Sequence, residues 1–363
     1  MEKLFIDKDT GLKCLMMDEK STIENLNGQL ITLYETPNSD LAFLNINHPS
    51  ITEDSCFKLL VSDDKELKHL LLFKYAGSEK VITILNECIR LTTPEIKTVC
   101  NTLFNEFGNI KEIVFPYLFL ADKKNPKTIY TKVLDDSILE LPDSVDVYMK
   151  SLSKKTRQYF RYYKNRIAKE MPGFSISFIE NEDITYEQVS AIVNLNRERM
   201  KTKGKKPGID DTDCEKMYRY ARINGLLCLC YDNETIIGGT ICSVIGKRAF
   251  IHVVAHDDSY QKYSIGQTAL INTIQYLIEH QKKYAHLMWG ESEYKHRLHC
   301  QMYDLYAVKI FRGQAAYGLH AIPSGIVSGV KSLTFSLKKK LKKNKGIVDF
   351  YRKILKKVRY SDE

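Results

Sequence analysis

This chain encodes an α/β (α+β) protein of two mixed, mostly antiparallel sheets flanked by helices, with a basic amphipathic helix at its C-terminal end. Three observations lead there. The 363 residues correspond to about two domains of roughly 150 residues. Strand-like apolar runs alternate with helical stretches on both sides of residue 145. Charge is divided along the same line. The hydrophobic share of 44% excludes global disorder. The expected division is 1–144, then 145–330 opening with a linker helix over 145–171, then a tail over 331–363.

The first segment carries the apolar runs ELKHLLLFKY, KVITILNECI, EIVFPYLFLA and TKVLDDSILEL around a helical stretch, TPEIKTVCNTLFNEFG. There Ile96, Val99, Leu103 and Phe107 recur at helical spacing. Thr93 and Pro94 supply its start and Gly108 its stop. From Pro142 the chain reads as one long basic helix ending at Pro172-Gly173. Leu152, Tyr159, Tyr163 and Ile167 form its apolar edge. FSISFIE then alternates as a strand, and TYEQVSAIVNLNRERMKTKG and DTDCEKMYRYARING are helices. LLCLCYDN, TIIGGTICSVIG and KRAFIHVVAHDD read as an antiparallel meander, turning at Asp232-Asn233 and Gly246-Lys247. SIGQTALINTIQYLIEHQKK is the next helix and HLMWGES the next strand. YKHRLHCQMYDLY reads as polar helix and VKIFRGQAAYGL as the closing strand.

The formal charge of +9 equals the net charge of residues 331–363 alone. Residues 1–149 carry −8 and residues 150–330 carry +8. The whole is therefore not a uniformly basic, nucleic-acid-like chain. The nine cysteines are odd in number and sit mostly in apolar stretches, which suits buried thiols rather than disulfides. Cys228 and Cys230 make only C-x-C, short of paired zinc-ligand spacing, so no metal is expected. No run reaches the ~18 apolar residues of a membrane span, and the N-terminal MEKLFIDKDTGLK lacks an apolar core for export. The expected location is the cytoplasm.

The order from residue 174 onward resembles the GNAT acyltransferase fold. SLSKKTRQYFRYYKNRI is similar to the basic helix that opens the second domain in FemAB-related, cellulose-biosynthesis (CelD-like) GNAT proteins. IIGGTICSVIGKRAFIHVVAHDDSYQKYSIGQTAL resembles their central hairpin and the entry to the acyl-CoA helix. WGESEYKHRL is similar to their G-x-x-x-Y-K element. The resemblance covers about residues 145–318 and implies tandem GNAT-like halves. It implies acyl-CoA, such as acetyl-CoA, as co-substrate, and an amine of a sugar, envelope or polysaccharide precursor as acceptor. Aminoacyl-tRNA as donor, in the FemAB manner, and a membrane-associated protein without catalysis are the rivals.

A bound pyrophosphate needs backbone N–H donors at a helix N-terminus. Gln261, Lys262, Ser264, Ile265, Gly266 and Gln267 stand where that terminus is expected. They match the acyl-CoA signature only in part, and Ser264 also suits a plain helix cap. Val254 and Ala255 would offer backbone hydrogen bonds to a thioester. His256 and Asp257 at the strand end are candidate bases, against the alternative of a polar strand end entering a turn with Asp258. The resemblance carries best to Gly290, Tyr294 and Lys295: Tyr294 as acid for the leaving thiolate, Lys295 as phosphate or substrate contact. Glu291 or Glu293 beside them is a further candidate base. Arg157 and Arg161, with Arg197 and Arg199, are candidates for an anionic small-molecule or lipid-linked acceptor; solvated helix faces are the plainer reading. In the tail, Ile347, Phe350, Tyr351, Ile354, Leu355 and Val358 keep helical spacing with cations opposite. Such a helix docks on its own protein or on the anionic inner face of the plasma membrane.

Overall fold

Neighbouring residues of the central strands are buried on both faces, so each sheet face must carry helices. In β4 (Leu67–Ala76), Leu70 and Leu72 pack toward one helical layer, and Leu71 and Phe73 toward the other. The computed structural model describes residues 2–120, 123, 126–314 and 317–318. Its first half runs β1 (Lys3–Ile6), β2 (Lys13–Met17), α1 (Leu26–Tyr34), α2 (Leu41–Asn47), β3 (Phe57–Ser62) and β4. It continues with β5 (Val81–Ile84), β6 (Ile89–Leu91), α3 (Thr93–Glu106), β7 (Glu112–Leu120) and β8 (Thr128–Glu140). The second half has α4 (Val145–Ser151), α5 (Lys154–Glu170), β9 (Phe174–Glu180), α6 (Tyr186–Thr202) and α7 (Asp211–Asn224). Then come β10 (Gly225–Asp232), β11 (Thr235–Ile245), β12 (Arg248–His256), α8 (Ile265–Glu279), β13 (Tyr284–Trp289), α9 (Glu293–Arg297) and β14 (Gln301–Phe311).

All the strands join one sheet, in the order β1-β2-β3-β4-β5-β7-β14-β8-β13-β12-β11-β10-β9, with β6 against β7. The halves exchange strands. The last strand, β14, pairs antiparallel with β7 and β8 of the first half. The first-half strand β8 pairs in turn with β13 of the second. The sheet therefore runs unbroken across the division expected near residue 145.

The element order read from 174 onward is present, with local corrections. The long basic helix is two helices. Leu152 is extended and buried, and the Ser153 side chain caps α5 by accepting from Thr156 N. Thr92, not Thr93, caps α3, and Phe107 rather than Gly108 ends it. The stretch expected as polar helix is helical only over α9. Gln301–Tyr306 is already strand, because β7 and β8 supply partners on its two edges. All nine cysteines are free, and eight are buried. The tail expected to be a basic amphipathic helix lies outside the described residues.

The first half also grips the second by side chains. Asp40 caps α2 through Ala42 N, and its other oxygen accepts from Tyr220 Oη at 2.8 Å and Asn224 Nδ2 at 2.9 Å, both on α7. Asn27 donates to the same carboxylate at 3.2 Å. Phe43 meets the Tyr220 ring edge-on at 4.9 Å. Glu35 accepts from Lys247 N at the β11–β12 turn, 2.9 Å away. Gly246 in that turn has φ +55°, and a Cβ there would lie 2.3 Å from the Glu35 carboxylate. Only glycine serves both demands.

Asp40→Ala strips acceptors from a buried phenol and two amides at once. Equilibrium urea unfolding should register a loss of about 3 kcal/mol, with Tyr220→Phe costing about 1 kcal/mol.

Candidate active site

β12 and β13 are parallel neighbours for three residue pairs only, Arg248–Phe250 against Tyr284–His286. Beyond Phe250 they part, and Trp289 is registered instead against Asp136 on β8. The parting leaves the outer edge of β12, residues 251–256, without a strand partner on that side among the described residues. β12 also carries a bulge: Ile241 faces Val253 and Cys242 faces Ile251, so His252 is the extra residue. A bulge shifts the alternation by one residue. Ala249 and Ile251 pack with α8, whereas Val253 and Ala255 pack with α6 and α7. Phe250 and His252 therefore line a cavity of about 1350 Å³ between the halves.

His256 follows the reversed alternation and lies against α8. A Cβ on Gly266 would come within 2.7 Å of its Nδ1, so only glycine admits the ring there. That nitrogen is buried without a partner among the described residues, and Nε2 lies 3.9 Å from Asp258. Burial, then the Arg199 charge, pushes the imidazole below its usual range and keeps it neutral at pH 7. Arg199 reaches from α6 to donate to the Val254 carbonyl at 3.2 Å. It acts electrostatically on both His256 and Tyr294. Burial pushes the Tyr294 phenol up, so it stays protonated. His256, Arg199 and Tyr294 are thus the sequence-derived candidates that the fold gathers at the parting strands.

The other candidates are placed differently. Lys295 is buried, and its ammonium donates to the carbonyls of Met288, Trp289 and Gly290 at 2.8–3.0 Å. All three of its hydrogens are used, so it closes the end of β13 rather than meeting a phosphate. Asp257 accepts from Ser259 N and Ser259 Oγ, which makes it the cap of the next turn. Arg157 donates to the Lys150 and Leu152 carbonyls and ties α4 to α5. Arg197 is held by the Ile209 carbonyl and by Asp211. Arg161 and Glu293 are exposed on α5 and α9, and Glu291 pairs with His296 at 3.3 Å.

Ser264 stands just before α8 with φ +55° and no side-chain cap bond to the helix. Its hydroxyl is hydrogen-bonded to Tyr159 of α5 instead. Ile265 and Gly266 are buried. Lys262 is exposed, with its carbonyl accepting from Arg166 at 3.2 Å. α8 carries no acidic residue in its first turn. The corresponding helix of the first half, α3, is closed by its own side chains. Glu95 accepts from Thr92 N at 2.7 Å, and His69 lies 3.2 Å from it. The His69 contact leads in holding that carboxyl down at about 2. A second phosphate would meet a fixed negative charge at α3; at α8 it would not.

Comparisons with known proteins bear on the fold. Residues 154–296 match the family model described as an acetyltransferase (GNAT) domain. This stretch is similar to GNAT acyltransferase domains. Its fold is similar to that of FemX, at TM-score 0.55 and 10% identity, over 84% of this chain and 99% of that one. It is also similar to L-PGS from Bacillus licheniformis (TM-score 0.44, 11% identity, 71% and 84% covered). A tandem GNAT protein from the clavulanic acid biosynthesis pathway aligns at TM-score 0.40 and 10% identity, covering 83% and 99%. No curated protein sequence matches the chain. In this protein the first half adds cavity wall that motif reading missed: Asn38, Glu87, Cys88 and Asp136. Among its described residues no group of side chains is arranged to hold a metal, and no helix is long and apolar enough to cross a membrane.

His252 gives a pH test of this arrangement. Burial lowers its pKa from 6.5 to about 4. Below pH 6.5 the unfolded chain takes a proton that the folded chain refuses, so stability falls as pH drops toward 4. The loss approaches about 3 kcal/mol. Thermal melts across that window should show it, and His252→Gln should flatten that component.

Proposed function

We propose that this protein is an N-acyltransferase that moves an acyl group from acyl-CoA to an amine of a sugar or cell-envelope precursor. One observation carries the donor side. The unpaired edge of β12 leads to the N-terminus of α8, which no side chain of its own helix caps, whereas the equivalent α3 is closed by Glu95. The thioester lies along residues 251–256, the pyrophosphate meets the first turn of α8, and the acceptor enters from the inter-half cavity. Arg199 offers a fixed positive charge where the carbonyl oxygen becomes negative. Tyr294, protonated, can return a proton to the leaving thiolate.

Aminoacyl-tRNA as donor is the second reading, and a specific observation favours it. α5 lies on the segment before α8 through Tyr159–Ser264 and Arg166–Lys262, and it exposes Lys154, Lys155, Arg161, Lys164 and Lys169. Lys201 in the last turn of α6, and Lys203, Lys205 and Lys206 after it, are exposed. Such a surface follows a phosphate backbone.

Calorimetric titration of the full chain with acetyl-CoA and with charged tRNA separates the two. On the acyl-CoA reading, acetyl-CoA binds, and Gly266→Ala weakens it about tenfold by displacing the His256 ring. On the tRNA reading, tRNA binds with a steep salt dependence, and combined Lys154, Lys155 and Lys164→Glu weakens it at least about tenfold. Binding of neither donor would remove the basis of both.

Residues 331–363 are proposed to hold the protein to an anionic bilayer surface. Deleting them should abolish co-sedimentation with phosphatidylglycerol vesicles; unchanged co-sedimentation refutes that role.

A further inference from the structure

The acceptor amine needs a base on its own side of the sheet. The two strands that part at the site carry three histidines: His252 and His256 on β12, and His286 on β13. Their surroundings differ. His256 lies against Gly266 and α8, on the donor side. His286 lines the cavity, but both ring nitrogens are engaged. Nδ1 meets Asp136 at 2.6 Å, and Nε2 meets the Arg248 guanidinium at 3.3 Å. Since Arg248 can only donate, His286 Nε2 is an acceptor already in use.

His252 lines the same cavity, and one nitrogen is committed: Nε2 lies 2.5 Å from Ser243 Oγ on β11. Its Nδ1 has no partner among the described residues. The ring is the bulge residue of β12, two positions beyond the last pairing with β13, level with the start of the free edge. Met288 and Trp289 line the cavity from the other parting strand, so the cavity opens onto the gap.

We propose that His252 is the general base of the transfer, accepting the acceptor amine's proton at Nδ1 while Nε2–H is donated to Ser243. The inference rests on the acyl-transfer reading and adds the residue that serves the acceptor. The amine nitrogen forms a C–N bond to the acyl carbonyl carbon and gives its proton to Nδ1. The C–S bond of a thioester, or the C–O bond of an aminoacyl ester, then breaks. The thiolate or alkoxide takes a proton from Tyr294 or solvent, and His252 returns its own to solvent. Burial keeps His252 neutral at pH 7, the state a base requires. The charged and titratable groups sharing its cavity are Arg248, His286, Asp136 and Glu140 on the central strands, Lys216 and Asp213 on α7, and His48, Lys68, His69, Lys74, Glu87 and Arg90 from the first half.

Hydroxylamine serves as a nucleophile small enough to enter the cavity, and hydroxamate formation from acetyl-CoA or from charged tRNA reports transfer. His252→Gln should lower kcat about 100-fold or more, leave donor affinity within about twofold, and remove the acid limb of the kcat–pH profile. Ser243→Ala, which only frees the ring, should lower kcat about tenfold. His252→Asn replaces the glutamine variant if that one melts early at pH 7.5. If the histidine variants keep wild-type kcat and the acid limb, His252 is not the base and the acyl-transfer reading stands. If the wild-type chain forms no hydroxamate from either donor, the acyl-transfer reading itself falls, and this proposal with it.

Discussion

The placement of β14 between β7 and β8 is the constraint on which the rest hangs. A strand in that position satisfies backbone donors and acceptors on both its edges, with partners that lie up to about 200 residues earlier in the chain. Leaving it out would expose two sheet edges in the middle of the molecule. The halves are therefore held by continuous main-chain pairing rather than by a side-chain interface alone, and the cavity between them has walls of fixed spacing. Asp40 and Glu35 refine that spacing; they do not create it.

Within the fixed frame, one extra residue decides which way two histidines face. Without the bulge at His252, alternation along β12 would place His252, Val254 and His256 on one face. With it, His252 turns to the cavity and His256 to α8. Two histidines four positions apart thus serve opposite sides of the same sheet. The gap between β12 and β13 lies between those two faces.

Much of the second half could be read from the chain because its signals are local. The meander turns and the helices α6, α7 and α8 each depend on neighbours a few residues away. What escaped reading depends on distant partners. Gln301–Tyr306 reads as polar helix because nothing nearby announces the two strands that pair with it. Leu152 fits a helical stripe, yet Ser153 caps a new helix beside it. The elements of the first 66 residues carry short, mixed runs with weak periodicity. At the site, His256 was identifiable, but its face was not, since a bulge is invisible without its partner strand. Lys295 and Arg157 looked like ligand contacts for the same reason: a cation in sequence does not reveal that backbone carbonyls already surround it.

The strand exchange also sets an order of events during synthesis. β8 is complete at residue 140, but its two neighbours are β13 and β14, the second ending at residue 311. While the chain emerges, the first half carries an open edge on β7 and a strand, β8, with no native partner. Closing contacts over that sequence distance is slow. A chain that ends before residue 301 would keep that edge exposed.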